Sequence, residues 1–291
     1  MTMEQYARTV EQQDKNEESL PQTLGDGLST VEQEFPETPT LIYDGPFSEH
    51  IEGMKPLMLE GLAEIDEAAG RQAAAKFLGI RPEQVYPVGV LEADIQSLCY
   101  EVKLKDGATR VTVSKAGGIV YQSVGSKLVE QSRMSAKEAL DAAKRFLEHK
   151  GYTGMRESYY MINNNILTAN FAYTQNGVIC YPDLIKVGIA MDDGSTESFD
   201  ATGYIKSHKE RQIPAPGISE ETAKGKVPAD LKILNINKTI IPSAGKNEVF
   251  CYEFECEDAN AQRFLIYVNA ATGEQEKIFI LLQDENGTLT L

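Results

Sequence analysis

Cys99-Tyr100-Glu101-Val102 recurs later in this chain as Cys251-Tyr252-Glu253-Phe254, and both runs alternate apolar and polar side chains. That alternation is what a half-buried strand requires, because successive side chains leave opposite faces of a pleated sheet. Downstream, Val111-Thr112-Val113-Ser114-Lys115-Ala116-Gly117-Gly118 matches Ile266-Tyr267-Val268-Asn269-Ala270-Ala271-Thr272-Gly273, with Val187-Gly188-Ile189-Ala190-Met191-Asp192-Asp193-Gly194 as a middle copy. Each reads as a strand, a turn where positive φ favours glycine, and a returning strand. The repeat is too long for a solenoid and points instead to three small domains in tandem.

Each copy opens with a helical pattern. The clearest runs from Ser135 to His149, where Ser135 and Glu138 form a capping box and Ala136, Ala139, Leu140, Ala143, Phe146 and Leu147 make one apolar face. An earlier copy covers Asp66 to Leu78, with Gly79 placed to end it in a left-handed turn. A third, from Ser219, is degenerate, because Pro228 stops it after about two turns. The expected fold is α+β: a partial helical segment and extended loop over 1–60, then one helix packed on an antiparallel meander in each of 61–130, 131–212 and 213–291. A unit of about 65 residues is marginal for a solitary core, so neighbouring units are expected to pack together or swap edge strands. Ile213-Pro214-Ala215-Pro216-Gly217 reads as a stiff spacer before the third.

Composition narrows the function. The formal net charge of −16 includes no Lys/Arg run and repels phosphate backbones and anionic lipids, which argues against nucleic acid as a partner. No stretch approaches the roughly 20 apolar residues that cross a bilayer. The opening Met-Thr-Met-Glu-Gln-Tyr-Ala-Arg reads like the middle of a helix, so a fragment is expected, with an export signal or anchor upstream. Cys99, Cys180, Cys251 and Cys256 form no CxxC pair and read as buried free thiols. Within residues 1–38, Leu24, Leu28, Val31 and Phe35 recur at helical spacing.

A search for chemistry returns no catalytic residue, metal site or cofactor. Of the three histidines, His50 sits with Asp44 and Ser48 on one short turn that cannot aim three side chains at one atom, and His149 suits the negative end of its helix dipole. No GxSxG, HExxH or phosphate loop is present, and no Trp is available to stack on sugar. Asp192-Asp193-Gly194-Ser195-Thr196-Glu197 and Asp284-Glu285-Asn286-Gly287-Thr288 carry oxygen ligands but lack the order of an EF-hand and suit hairpin turns better. What remains is recognition: sheet edges accept an extended partner by strand addition, and an acidic surface favours a basic one. The candidate partner-binding loop is Tyr43, Asp44, Phe47, Glu49 and His50.

A helix, strands, and a hairpin of the form apolar-Asn-Ala-Ala-Thr-Gly-Glu together resemble the PepSY domain family. Leu41-Ile42-Tyr43-Asp44-Gly45-Pro46-Phe47-Ser48-Glu49-His50 is similar to a segment preceding the first repeat in the YpeB group of that family. Gly203-Tyr204, His208-Lys209-Glu210-Arg211, Ile213-Pro214 and Ile218-Ser219-Glu220-Glu221 resemble the join between that group's second and third repeats. The resemblance implies a non-enzymatic spore germination protein that binds, stabilises and regulates a spore cortex-lytic enzyme, a peptidoglycan hydrolase. It implies an extracytoplasmic place outside the spore's inner membrane, with membrane contact only through an N-terminal region absent from this chain. The wider family offers a second expectation, a secreted peptidase inhibitor or propeptide-like chaperone.

Overall fold

In the computed structural model, residues 54–104, 107–243, 247–284 and 287–290 are described. They form a mixed α+β structure that is mostly sheet with few helices. After a one-turn 3-10 helix at Leu57–Leu59 come α1 (Glu67–Leu78) and strands β1 (Tyr86–Leu91), β2 (Ser97–Leu104), β3 (Gly107–Ser114) and β4 (Val120–Gly125). Then follow α2 (Ala136–His149), β5 (Met155–Asn163), β6 (Ile166–Gln175), β7 (Val178–Ala190), β8 (Thr196–Asp200) and α3 (Thr202–Ser207). The chain ends with α4 (Glu220–Lys224), β9 (Lys232–Ser243), β10 (Asn247–Glu257), β11 (Arg263–Asn269), β12 (Gln275–Asp284) and β13 (Gly287–Thr290).

Local chemistry sets the helix ends. The Asp66 carboxylate accepts from Ala69 N at the start of α1, and Gly79 closes it at φ 71°. Ser135 and Glu138 exchange both bonds of a capping box on α2. Ser219 caps α4, which lasts five residues. Two hairpins turn on left-handed residues, Asn164-Asn165 between β5 and β6 and Asn176-Gly177 between β6 and β7. Asn-Gly is among the strongest short hairpin signals, and here it marks a turn the repeat pattern did not supply.

The strands make one 13-stranded sheet in the order β1-β2-β3-β4-β8-β7-β6-β5-β13-β12-β11-β10-β9. Val178–Cys180 of β7 also pairs in parallel with Lys238–Ile240 of β9, so the eight strands from β7 round to β9 close into a ring. Ala172, Ile179, Tyr181, Leu184, Ile241, Cys251 and Tyr267 cluster on the inner face. The α2 helix packs on the opposite face of β6 and β7, and α1 on strands that lie beyond the ring. The α1 face sets Ala74 and Ala75 against Leu98, Tyr100, Val102, Val111 and Val113. On α2, Ala139, Ala143 and Leu147 pack on Leu167, Phe171, Ile185, Val187, Ile189 and Phe199. The short α4 contributes Ala223 to a cluster with Tyr252, Phe254, Cys256, Ile266 and Val268. Full burial of such aliphatic and aromatic side chains contributes about 1.5–3 kcal/mol each. Cys251 thus points into the ring and Cys256 out of it, as their odd spacing requires.

Candidate functional site

The chemically densest place among the described residues is the segment that leaves α3. Gln175 fixes its backbone by accepting from Arg211 N at 3.0 Å and donating to Arg211 O at 2.7 Å. The Arg211 guanidinium then donates to both oxygens of Asp183 at 2.6 and 2.8 Å and both of Glu248 at 2.7 and 2.9 Å. The Arg211 and Asp183 side chains are 4% and 0% exposed. Burial disfavours the cation, but the Asp183 and Glu248 bonds outweigh that and raise the Arg211 pKa. His208 Nδ1 lies 2.8 Å from the same Asp183 carboxylate, its ring stacked on Tyr204 and meeting Tyr173 edge-on. Asp183 lies on β7 and Glu248 on β10, so the cluster fastens the middle of the chain to its last part. An imidazole beside a carboxylate is half of a catalytic relay. Here the carboxylate is shared with a guanidinium and the ring is packed between tyrosines, an arrangement suited to holding rather than reacting.

A second fastener sits where the chain leaves β4. The Lys127 ammonium lies 2.9 Å from Asp192 and 2.6 Å from Asp193, with the Ser195 hydroxyl at 3.4 Å. Lys127 N donates to Glu197 at 3.3 Å. The bond from Lys127 holds Asp193 down at about 2, against an ordinary 3.8. The acidic turn from Asp192 to Glu197 therefore directs its aspartate oxygens at a lysine. The other such segment includes residues 285–286, outside the described residues. Among the described residues no group of three or more His, Cys, Asp or Glu is placed to hold a metal.

A third polar cluster joins β7, β9 and β10. Tyr181 Oη donates to Glu253 at 2.7 Å and Asn237 to its other oxygen at 2.9 Å. Burial first, and the Glu253 charge second, push the Tyr181 and Tyr267 hydroxyls well above 10. Burial likewise raises the Cys180 and Cys256 thiols to about 11 and Cys251 to about 12, which removes them as nucleophiles near neutral pH.

Among the described residues, Leu62, Leu104, Val124 and Leu128 are exposed singly, and two strands expose several apolar side chains each. The edge strand β1 presents Tyr86, Val88, Val90 and Leu91, and β12 presents Ile278 and Ile280. His149 closes α2, as its dipole suggested. Tyr43, Asp44, Phe47, Glu49 and His50, the candidate partner-binding loop, lie outside the described residues. The sequence did not single out Asp183 or Glu248, and Arg211 stood out only through the resemblance at the second join.

A sheet-dominated α+β chain whose helices precede antiparallel strands has the build of a PepSY-domain protein. The family described as YpeB sporulation, PepSY1 and PepSY2 domains matches residues 24–214. The chain belongs to the YpeB sporulation family. It is 26% identical over 223 residues to sporulation protein YpeB of Bacillus subtilis (strain 168), covering 74% of this chain and 49% of that protein. Sporulation protein YpeB of Halalkalibacterium halodurans is 26% identical over 219 residues, covering 74% and 48%. The solved Bacillus megaterium YpeB C-terminal domain superposes with a TM-score of 0.68 at 27% identity, over 76% of this chain and 100% of that one. The chain spans about half the length of the curated relatives it matches. These relatives are named as sporulation proteins rather than enzymes. No helix of the described residues is long and apolar enough to cross a membrane.

Proposed function

We propose that this chain is a non-enzymatic germination protein that binds, stabilises and regulates a spore cortex-lytic peptidoglycan hydrolase, outside the spore's inner membrane. Membership of the YpeB family carries this reading, and the charged clusters support it, since their geometry serves to fasten. Residues 61–130, 131–212 and 213–291 are the three PepSY-like modules of the proposal, because a helix followed by strands begins each of them. Lys127, near the end of the first, bonds Asp192 and Asp193 of the middle one, and Arg211, near the end of the middle one, bonds Glu248 of the last. Co-purification of the chain with a candidate hydrolase at low and high salt tests the reading. Retention that weakens with salt is expected, and no retention at either salt refutes it. Cortex zymography of the chain alone should show no cleared band.

Among the described residues β1 pairs with β2 alone, and that edge favours a second reading, a secreted peptidase inhibitor or propeptide-like chaperone that offers a strand to a peptidase cleft. Residual activity across a peptidase panel separates the two, since only the inhibitor lowers it.

A further inference from the structure

The helices that precede the three runs of strands, α1, α2 and α4, differ in how far they reach across the strands beneath them. Four strands span about 14 Å at the usual spacing. At 1.5 Å per residue, α1 is about 18 Å long and α2 about 21 Å, whereas α4 is about 7.5 Å. The shortfall shows at one register position. Val111 of β3 faces Ser123 of β4, Val187 of β7 faces Phe199 of β8, and Ile266 of β11 faces Ile278 of β12. Ser123 and Phe199 are 5% and 1% exposed, but Ile278 is 45% exposed and Ile280, two residues on, 39%. Ile280 faces the half-buried Phe264, so an apolar strip on this face extends from the cluster around Ala223 of α4 onto β12.

We infer that the outer face of β11 and β12, around Ile278, Ile280 and Phe264, seats an amphipathic helix supplied by another protein and carrying Lys or Arg along its polar edges. The kind of occupant follows from the other copies, where this face is covered by a helix of 12 or 14 residues. Its charge follows from sequence. Residues 213–291 hold 12 acidic against 7 basic side chains, whereas 61–130 hold 9 against 8 and 131–212 hold 10 against 10. A second copy of the chain would set the acidic part against itself, which disfavours self-pairing. The inference rests on the reading of this chain as a binding protein and names the surface and the segment it takes.

The test uses the whole chain and a fluorescein-labelled synthetic helix of about four turns with a Leu face and a Lys face. Anisotropy should rise saturably with the unsubstituted chain. Binding should be at least about tenfold weaker for Ile278→Asp/Ile280→Asp, and for a peptide with Glu in place of Lys. Ile278→Thr/Ile280→Thr, which keeps β-branching and hence the strand, should weaken it by a smaller factor, and Val90→Asp on β1 should leave it unchanged. Absence of binding, or equal binding by the two Ile278/Ile280 variants and the unsubstituted chain, overturns the seat. So does light scattering that shows a dimer which the Asp variant splits, since the face then belongs to a second copy. Hydrolase retention separates the two levels. Equal retention by the Asp variant overturns the seat and leaves the partner reading standing. Peptide binding without any hydrolase retention upholds the seat and refutes that reading.

Discussion

Replacing Arg211 with methionine removes a buried cation while keeping an unbranched stem. Six guanidinium bonds vanish together, two to Asp183, two to Glu248 and one each to the backbone carbonyls of Lys209 and Ser207. Glu248 is 21% exposed and can recover water, but Asp183 is 0% exposed and, among the described residues, keeps the His208 ring as its side-chain partner. Stranding a buried charge in this way costs about 3–5 kcal/mol. At roughly 2–4 °C per kcal/mol for a chain of this size, Tm should fall by roughly 6–20 °C. Urea unfolding followed by tyrosine fluorescence and circular dichroism measures the change, the chain having no Trp. Asp183→Asn should also destabilise, and the double variant should fall short of the summed losses by at least about 1 kcal/mol, because the second substitution removes a charge the first has already stranded. A loss below about 1 kcal/mol for Arg211→Met, or strict additivity, would refute the claim that this pair fastens β7 to the segment that leaves α3.

Four further outcomes follow from the same geometry. An aromatic disulfide reagent at pH 8 should label Cys99 first, since it is half-buried while the other three thiols are buried and raised to about 11–12, and all four should react in denaturant. Tyr181→Phe should cost about 1–3 kcal/mol in urea unfolding, because it strips a donor from the buried Glu253 carboxylate. Gly70→Ala should cost about 1–3 kcal/mol by the same measurement, since a Cβ there runs into Tyr100 Oη and Leu98 under α1. Asp193 is depressed in the folded chain, so its contribution is present above pH 3.8 and lost as pH falls towards about 2. Lys127→Ala should flatten that part of the acid unfolding curve, by a small amount because Asp193 is half exposed.

Local chemistry explains what could be read from the chain alone. The ends of α1 and α2 were legible because Asp66, Gly79, Ser135 and Glu138 act within one turn of themselves. The strand runs were legible because Tyr100 and Val102 flank Glu101, Tyr252 and Phe254 flank Glu253, and Val111 sits between Arg110 and Thr112. Closure of the ring was not, since it depends on three residues of β7 meeting three of β9 far along the chain, with no local signature. Nor was α3, whose Gly203 and Lys206 argue against a buried helix until the Lys206 bond to Asp94 is seen. Asp183 and Glu248 are two acids among 44, and only burial distinguishes them.

The middle of the chain bears more than its share of the load, and β7 shows why. Its first residues pair with β9 and its last with β8, while β6 runs beside most of its length. It carries Asp183, which receives Arg211, and it leads into Asp192 and Asp193, which receive Lys127. Both connecting segments are therefore tied to one strand and the turn that follows it. Ile179, Tyr181 and Leu184 of that strand share a core with Ile241, Cys251 and Tyr267. Removing residues 213–291 would consequently uncover an apolar face and leave the Asp183 carboxylate without Glu248 beside its guanidinium. The last part of the chain thus completes the core of the middle part, and the two are expected to unfold in one transition.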